Sequence, residues 1–172
     1  MSESRAFLRR LFDAAVAAAH PATCLPPRLP PRPKGRLIVL AAVKASCSST
    51  ELAEAHYLDT LKLAPARLTG VAVARHGYGR PTRAVAMIEA GHPVPDAAGL
   101  KAAERALALA AAAGADDLVL VLMSGGASAN WIAPAQGVSF EDKQAVTRAL
   151  LRSGAGIGEI NTVRKHLSRI KG

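Results

Sequence analysis

The sequence predicts an α/β fold, a Rossmann-like three-layer sandwich with a mainly parallel sheet. Three observations predict it. Four short apolar runs, at residues 37–40, 68–74, 84–89 and 118–123, are spaced along the chain with helix signals between and after them. The first, Leu37-Ile38-Val39-Leu40, is continuous rather than alternating, as expected of a parallel strand buried on both faces. Half of the 172 residues are hydrophobic and 20% are charged. That composition supports one domain with its own core and excludes a disordered chain.

The elements follow in order. Phe7, Leu8, Leu11, Phe12, Ala15 and Ala18 fall at helical spacing, so the N-terminal segment reads as an amphipathic helix capped by Ser2 or Ser4. Arg5, Arg9 and Arg10 ahead of the alanines imitate a targeting peptide, but Asp13 interrupts the apolar run. His20-Pro21 ends this helix. The prolines of residues 21–36 then predict an extended connector without regular hydrogen bonding. After the strand at 37–40, a helix is expected from Ser48–Thr50 to Leu63, with Glu51 and Glu54 in its first turn. Strands at 68–74 and 84–89 follow, and Gly91-His92-Pro93-Val94-Pro95-Asp96 is a stiff loop. Asp96 caps a helix over 97–113, which ends at Gly114. The strand at 118–123 leads into Ser124-Gly125-Gly126-Ala127-Ser128. Ser139 then caps a helix to about Ser153, and a last helical segment covers 157–170.

The net charge of +9 is uneven: residues 1–36 hold seven Lys/Arg against two acids, and residues 159–172 hold four against one. The middle is nearly neutral, and the six aromatics are scattered, which argues against a nucleic-acid surface. No apolar run reaches the roughly 20 residues of a membrane helix. Two cysteines, Cys24 and Cys47, make no disulfide scaffold and no zinc spacing. A reducing, cytoplasmic setting is the expectation.

In a parallel sheet, ligands sit beyond the carboxyl ends of the strands, so the candidate site residues are sought there. Ser124, Gly125, Gly126 and Ser128 follow a strand directly and can bring backbone N–H groups to a phosphate, although they match neither the P-loop nor GxGxxG; a simple turn is the alternative. Lys44, just past the first strand, can meet a phosphoryl group or a carboxylate, or be a solvated turn lysine. Cys47 reads as a small buried filler rather than a nucleophile. His92 sits in the stiff loop, and Asn161, Arg164, Lys165 and His166 form a cationic cluster that suits either an anion or solvent.

Taken together, Glu89-Ala90-Gly91-His92-Pro93-Val94-Pro95-Asp96, Asp116-Asp117-Leu118 through Ser124-Gly125-Gly126, Glu141-Asp142-Lys143-Gln144 and Glu159-Ile160-Asn161-Thr162-Val163-Arg164-Lys165-His166-Leu167-Ser168 resemble the type II glycerate kinases, often labelled hydroxypyruvate reductases. The resemblance implies ATP-dependent phosphorylation of D-glycerate to 2-phosphoglycerate with Mg²⁺. Lys44 would be the catalytic lysine, Ser124, Gly125, Gly126 and Ser128 the phosphate loop, and His92, Asn161, Arg164 and Lys165 the substrate positions. Residues 1–172 would be the N-terminal Rossmann-like domain alone, without the C-terminal domain called MOFRL, so the sheet would be incomplete and the chain weakly active or inactive. The open sheet edge leaves a homo-oligomer among the expectations. Two departures mark the chain: Ala41-Ala42-Val43-Lys44-Ala45 replaces a glycine-rich turn, and Ala127, Asn130 and Trp131 alter the second loop. The alternatives are a non-catalytic nucleotide- or anion-binding module and an NAD(P)H-dependent hydroxypyruvate reductase.

Overall fold

The computed structural model describes residues 3–42, 44–125 and 129–171. Four strands, β1 (Leu37–Ala42), β2 (Leu68–Arg75), β3 (Ala86–Ala90) and β4 (Leu118–Met123), form one all-parallel sheet in the order β3-β2-β1-β4. Among the described residues six α-helices accompany it: α1 (Glu3–Ala19), α2 (Pro21–Cys24), α3 (Ser46–Glu54), which runs on as a π-helix over Ala55–Thr60, α4 (Ala97–Ala111), α5 (Phe140–Arg152) and α6 (Ile157–His166). The expected α/β class and parallel sheet are therefore present.

Strand β1 is the centre of the sheet. Leu37, Val39 and Ala41 point to one core with Ala53, Tyr57 and Leu58 of the α3 side, while Ile38, Leu40 and Ala42 point to another with Ala102 and Ala106 of α4. This gives three layers. The close approach of β2 to β1 depends on Gly70, where a Cβ would lie 2.0 Å from the carbonyl oxygen of Val39. At the carboxyl edge, Ala42 stands in register with Val73 and Met123, so the loops that leave β1, β2 and β4 emerge together. Strand β4 lies at one sheet edge with Val121 and Met123 half-exposed, matching the open edge expected from the sequence.

The connector differs from expectation. Residues 21–36 are not wholly extended: α2 begins with Pro21, and a 3₁₀ turn spans Pro26–Arg28. Proline has no N–H to lose at the first helical positions and its φ is already helical, so the same residues that stop α1 start these turns. Side chains from the domain then satisfy the connector's carbonyls. Tyr57 donates its hydroxyl to Pro30 (2.8 Å), and the Arg67 guanidinium reaches Pro33, Lys34 and Gly35. Helix α1 does form, but none of its residues is buried, and Phe7, Leu8, Leu11, Phe12 and Val16 remain exposed.

At the amino edge of the sheet Arg36 meets Asp117. The Arg36 backbone N–H donates to Asp117 Oδ1 (2.5 Å) and its guanidinium to Oδ2 (2.7 Å), while Gly114 N–H donates to the same carboxylate (3.0 Å). The Arg36 hydrogen bond, followed by these N–H groups, holds the Asp117 carboxyl well below the usual range. One carboxylate thus joins the starts of β1 and β4 to the end of α4.

The connection from β2 to β3 carries no helix, although parallel neighbours usually need one. Acids of the α3 segment hold it in place instead. The Glu54 carboxyl, 1% exposed, accepts from three successive backbone N–H groups, those of Arg83 (2.8 Å), Ala84 (2.7 Å) and Val85 (2.9 Å). Glu51 pairs with Arg80 (3.3 Å) and Asp59 with Arg83 (2.7 Å). Removing the Glu54 acceptor strands buried donors, so Glu54→Ala is expected to lower stability by about 3–5 kcal/mol in urea unfolding, with Glu54→Gln intermediate.

Candidate functional site

A cleft of about 470 Å³ opens over the carboxyl ends of the strands. Its floor is Lys44, Cys47 and Ser48 from the β1–α3 turn. One wall is residues 75–80 from the helix-free crossover, and His92 and Asn130 complete it from the loops after β3 and β4. Among the described residues the lining contains Lys44, Arg75 and Arg80 and no aspartate or glutamate. An acid-free concavity with three cations favours an anion.

Each wall is fixed from within the fold. Ser124 leaves β4 and ties its neighbour strand: its Oγ accepts from Ala45 N–H (3.0 Å) and donates to Ala42 O (3.4 Å). The turn that carries Lys44 is therefore clamped at both sides, and Lys44 itself is exposed. Ser48 Oγ donates to Ala45 O (3.2 Å), and Cys47 Sγ donates to Tyr78 O (3.1 Å), so Cys47 is a buried tie, as the sequence suggested, rather than a free thiol facing solvent.

The crossover wall is pinned on its other side. Gly79 N–H donates to Glu89 Oε1 (2.7 Å), and this and the Gly77 N–H draw the Glu89 carboxyl below its ordinary value. A Cβ on Gly79 would stand 2.7 Å from that oxygen, so a larger residue there would make the Glu89 carboxylate shift. His76 Nε2 lies 2.7 Å from Asp96 Oδ2. Burial pushes the Asp96 carboxyl up, but the N–H groups of Gly99 and Gly91 together with His76 outweigh it and leave it lowered. Asp96 also caps α4 through Gly99 N–H (3.0 Å), as its sequence position predicts.

Asn130 and Gln144 hold the His92 loop. Asn130, fully buried, donates to Ala90 O (2.9 Å) and Gly91 O (3.2 Å), and Gln144 donates to Pro95 O (2.6 Å). His92 and Lys44 therefore share one cleft although they are far apart in sequence.

The other sequence candidates are distributed differently. Ser124 stands beside the Lys44 turn, and Gly125 is exposed, with open space where a Cβ would be. Gly126 and Ser128 lie outside the described residues, as does Val43. Asn161, Arg164 and Lys165 sit on α6 and do not line the cleft; Asn161 and Lys165 are exposed and Arg164 is half-buried. Arg75, Tyr78 and Arg80 are cleft residues that sequence reasoning missed. The signal available for them was His76-Gly77-Tyr78-Gly79, a glycine-flanked aromatic directly after a strand. Among the described residues no group of three His, Cys, Asp or Glu is placed to hold a metal, and no helix is long and apolar enough to cross a membrane.

Beneath α6, Lys143 of the Glu141-Asp142-Lys143-Gln144 motif is 2% exposed and donates to Arg164 O (3.1 Å) and Leu167 O (2.6 Å). A cation suits these carbonyls at the helix C-terminus. Burial, then the nearby Arg164, lowers its pKa to about 8, and burial with Arg164 and Lys143 lowers Lys171 to about 7.

The family model described as "Domain of unknown function (DUF4147)" matches residues 7–172. A protein named as a hydroxypyruvate reductase from Agrobacterium vitis is 46% identical over 169 residues, covering 98% of this chain and 37% of that one. A glycerate 2-kinase from Pyrococcus horikoshii is 43% identical over 139 residues, covering 81% of this chain and 30% of that one. A crystal structure of a Pyrococcus horikoshii protein superposes with a TM-score of 0.80 at 36% identity, covering all of this chain and 40% of the other. The chain thus spans about a third of the length of the curated relatives it matches.

The lysine environment gives a pH test. Between about 8 and the ordinary value of 10.5, the folded chain has released the Lys143 proton while the unfolded chain retains it. The unfolded state then binds more protons, so stability rises with pH across this window and is lost as pH falls through the folded value. With Lys171 contributing similarly, Lys143→Met is expected to cut the slope of urea-unfolding stability between about pH 8 and 10 by about half.

Proposed function

The chain belongs to the DUF4147 family, and from that premise we propose that it supplies one face of a site that transfers a phosphoryl group from ATP to D-glycerate, giving 2-phosphoglycerate. The observation that carries this reading is the acid-free cationic cleft at the carboxyl ends of a parallel sheet, with Lys44 on its floor. Phosphoryl transfer asks a protein chiefly for positioning and for positive charge around the moving group. The similarity to a glycerate 2-kinase supports the acceptor.

In this reading Lys44 faces the transferred phosphoryl group, and the Ser124 clamp keeps its turn from drifting as charge develops there. Arg80 and the N–H groups around Ser124 and Gly125 hold the remaining phosphates. His92, from the loop after β3, takes the glycerate carboxylate. Asn161, Arg164 and Lys165 lie on α6, off the cleft, and take no part in the nucleotide contact.

The lining fits ATP and offers no carboxylate pair for a protein-held Mg²⁺, so that ion would be held by the phosphates themselves. Bound there, Mg²⁺ supplies neutralisation of phosphate charge. The setting that follows from this chemistry is the cytoplasm, where ATP is abundant. Because the cleft is open, the moving group stands exposed to water, and the isolated chain is expected to bind nucleotide but turn over weakly or not at all.

A hydroxypyruvate reductase is the second reading, favoured by the name of the Agrobacterium relative. The turn after β1 lacks the glycines that bring backbone to a dinucleotide pyrophosphate.

Calorimetry and a coupled ATP/D-glycerate assay test the proposal on the purified chain. ATP binding is expected, weakened about tenfold by Lys44→Ala and partly restored by Lys44→Arg. Absence of ATP binding, or oxidation of NADH on hydroxypyruvate, would overturn it.

A further inference from the structure

We propose that the Tyr78 ring, backed by the Arg75 guanidinium, is a stacking platform for the base of a nucleotide whose phosphates lie toward Lys44 and Arg80. This rests on the reading of the cleft as a phosphate site and adds to it where the other end of the nucleotide goes.

Four observations carry the inference. Tyr78 is 57% exposed while lining the cleft, an unusual place for an aromatic ring unless something covers it. The Arg75 guanidinium carbon lies 3.8 Å from the ring centroid, and Arg75 Nη2 donates to the Tyr78 hydroxyl. With the guanidinium against one face and the hydroxyl held, the remaining exposure belongs to the opposite face and the edges, and the ring cannot swing freely.

The backbone is held as firmly as the ring. Tyr78 N–H donates to Arg75 O (3.0 Å), Tyr78 O accepts from Cys47 Sγ (3.1 Å), and the following residue, Gly79, is tied to Glu89 (2.7 Å). Gly77 has φ +78°, the left-handed conformation that lets the chain turn immediately before the ring. A surface tyrosine without a ligand needs no such scaffolding on both sides.

The ligand chemistry follows from the pairing. An open aromatic face stacks on any planar base, and a guanidinium behind it adds its charge to that of Lys44 and of Arg80, which it shares with Glu51. A ring beside several cations suits a molecule that is planar at one end and polyanionic at the other. Such stacking discriminates weakly between bases, since each has a π-face.

Titration calorimetry with ADP and with inorganic pyrophosphate separates the platform from the phosphate site, because the second probe has phosphates and no base. The parent chain is expected to bind ADP about tenfold more tightly than pyrophosphate. Tyr78→Leu brings the two to within about twofold by weakening ADP alone, and Tyr78→Phe keeps the preference because it keeps the ring. Tyr78 is exposed, so the variants retain the core, and circular dichroism checks that they fold. Equal binding of both probes by the parent chain, or a preference that survives Tyr78→Leu, overturns the platform and leaves the phosphate reading standing. Failure of both probes to bind overturns both. An ADP preference lost in Tyr78→Leu, in a chain that transfers no phosphate, supports the platform while separating it from the kinase reading.

Discussion

Three consecutive N–H groups on one buried carboxyl decide how this domain builds its cleft. Parallel strands are commonly joined through a helix that satisfies its own backbone, but the β2–β3 crossover has none, and its donors at Arg83, Ala84 and Val85 must be met from outside. Glu54 meets them. Since Glu54 belongs to the helix that follows β1, the floor and the crossover wall of the cleft are parts of one hydrogen-bonded unit. The second tie, from Cys47 to Tyr78, runs between the same two elements one level higher. Positions of Lys44 and Arg80 are thus set by contacts remote from any ligand.

Charge has a different meaning in the folded chain than in the composition. The terminal segments carry most of the +9, yet the concave surface draws its cations from the nearly neutral middle. Acids close to the cleft are engaged by the scaffold, Glu54 with backbone, Glu89 with Gly79, and Asp96 with His76 and the start of α4, while Glu51 is spent on Arg80 and offsets part of its charge. Acids committed to the scaffold leave the cleft positive without an excess of basic residues. Lys143, also from the middle of the chain, spends its charge on two backbone carbonyls at the end of α6, so not every cation there serves the cleft.

Much of the fold was legible because its signals are local. Leu37-Ile38-Val39-Leu40 reads as a doubly buried strand from composition alone, and the caps Asp96 and Ser139 occupy the positions their chemistry requires. Lys44 and His92 were identifiable as candidates because each follows a strand. The crossover wall was less legible. Its sequence has no helix period to announce it, and what makes Arg75, Tyr78 and Arg80 converge is a set of long-range ties to Cys47, Glu51 and Glu89 that no spacing rule contains. The prolines at 21–31 misled for a related reason, since the residue that terminates one helix is also suited to begin the next turn. The α6 residues Asn161, Arg164 and Lys165 were grouped with the site by the family resemblance, while their charge alone suited a solvated helix face equally; they lie off the cleft.

The central claim is that anionic ligands bind at the carboxyl ends of the strands. Amide chemical-shift mapping of the ¹⁵N-labelled chain during titration with ATP tests it most directly. Shifts are expected to concentrate at residues 44–48, 75–80, 91–92 and 124–125, with α6 unmoved. Shifts confined to residues 161–166, or no saturable shifts at the strand ends, would contradict it.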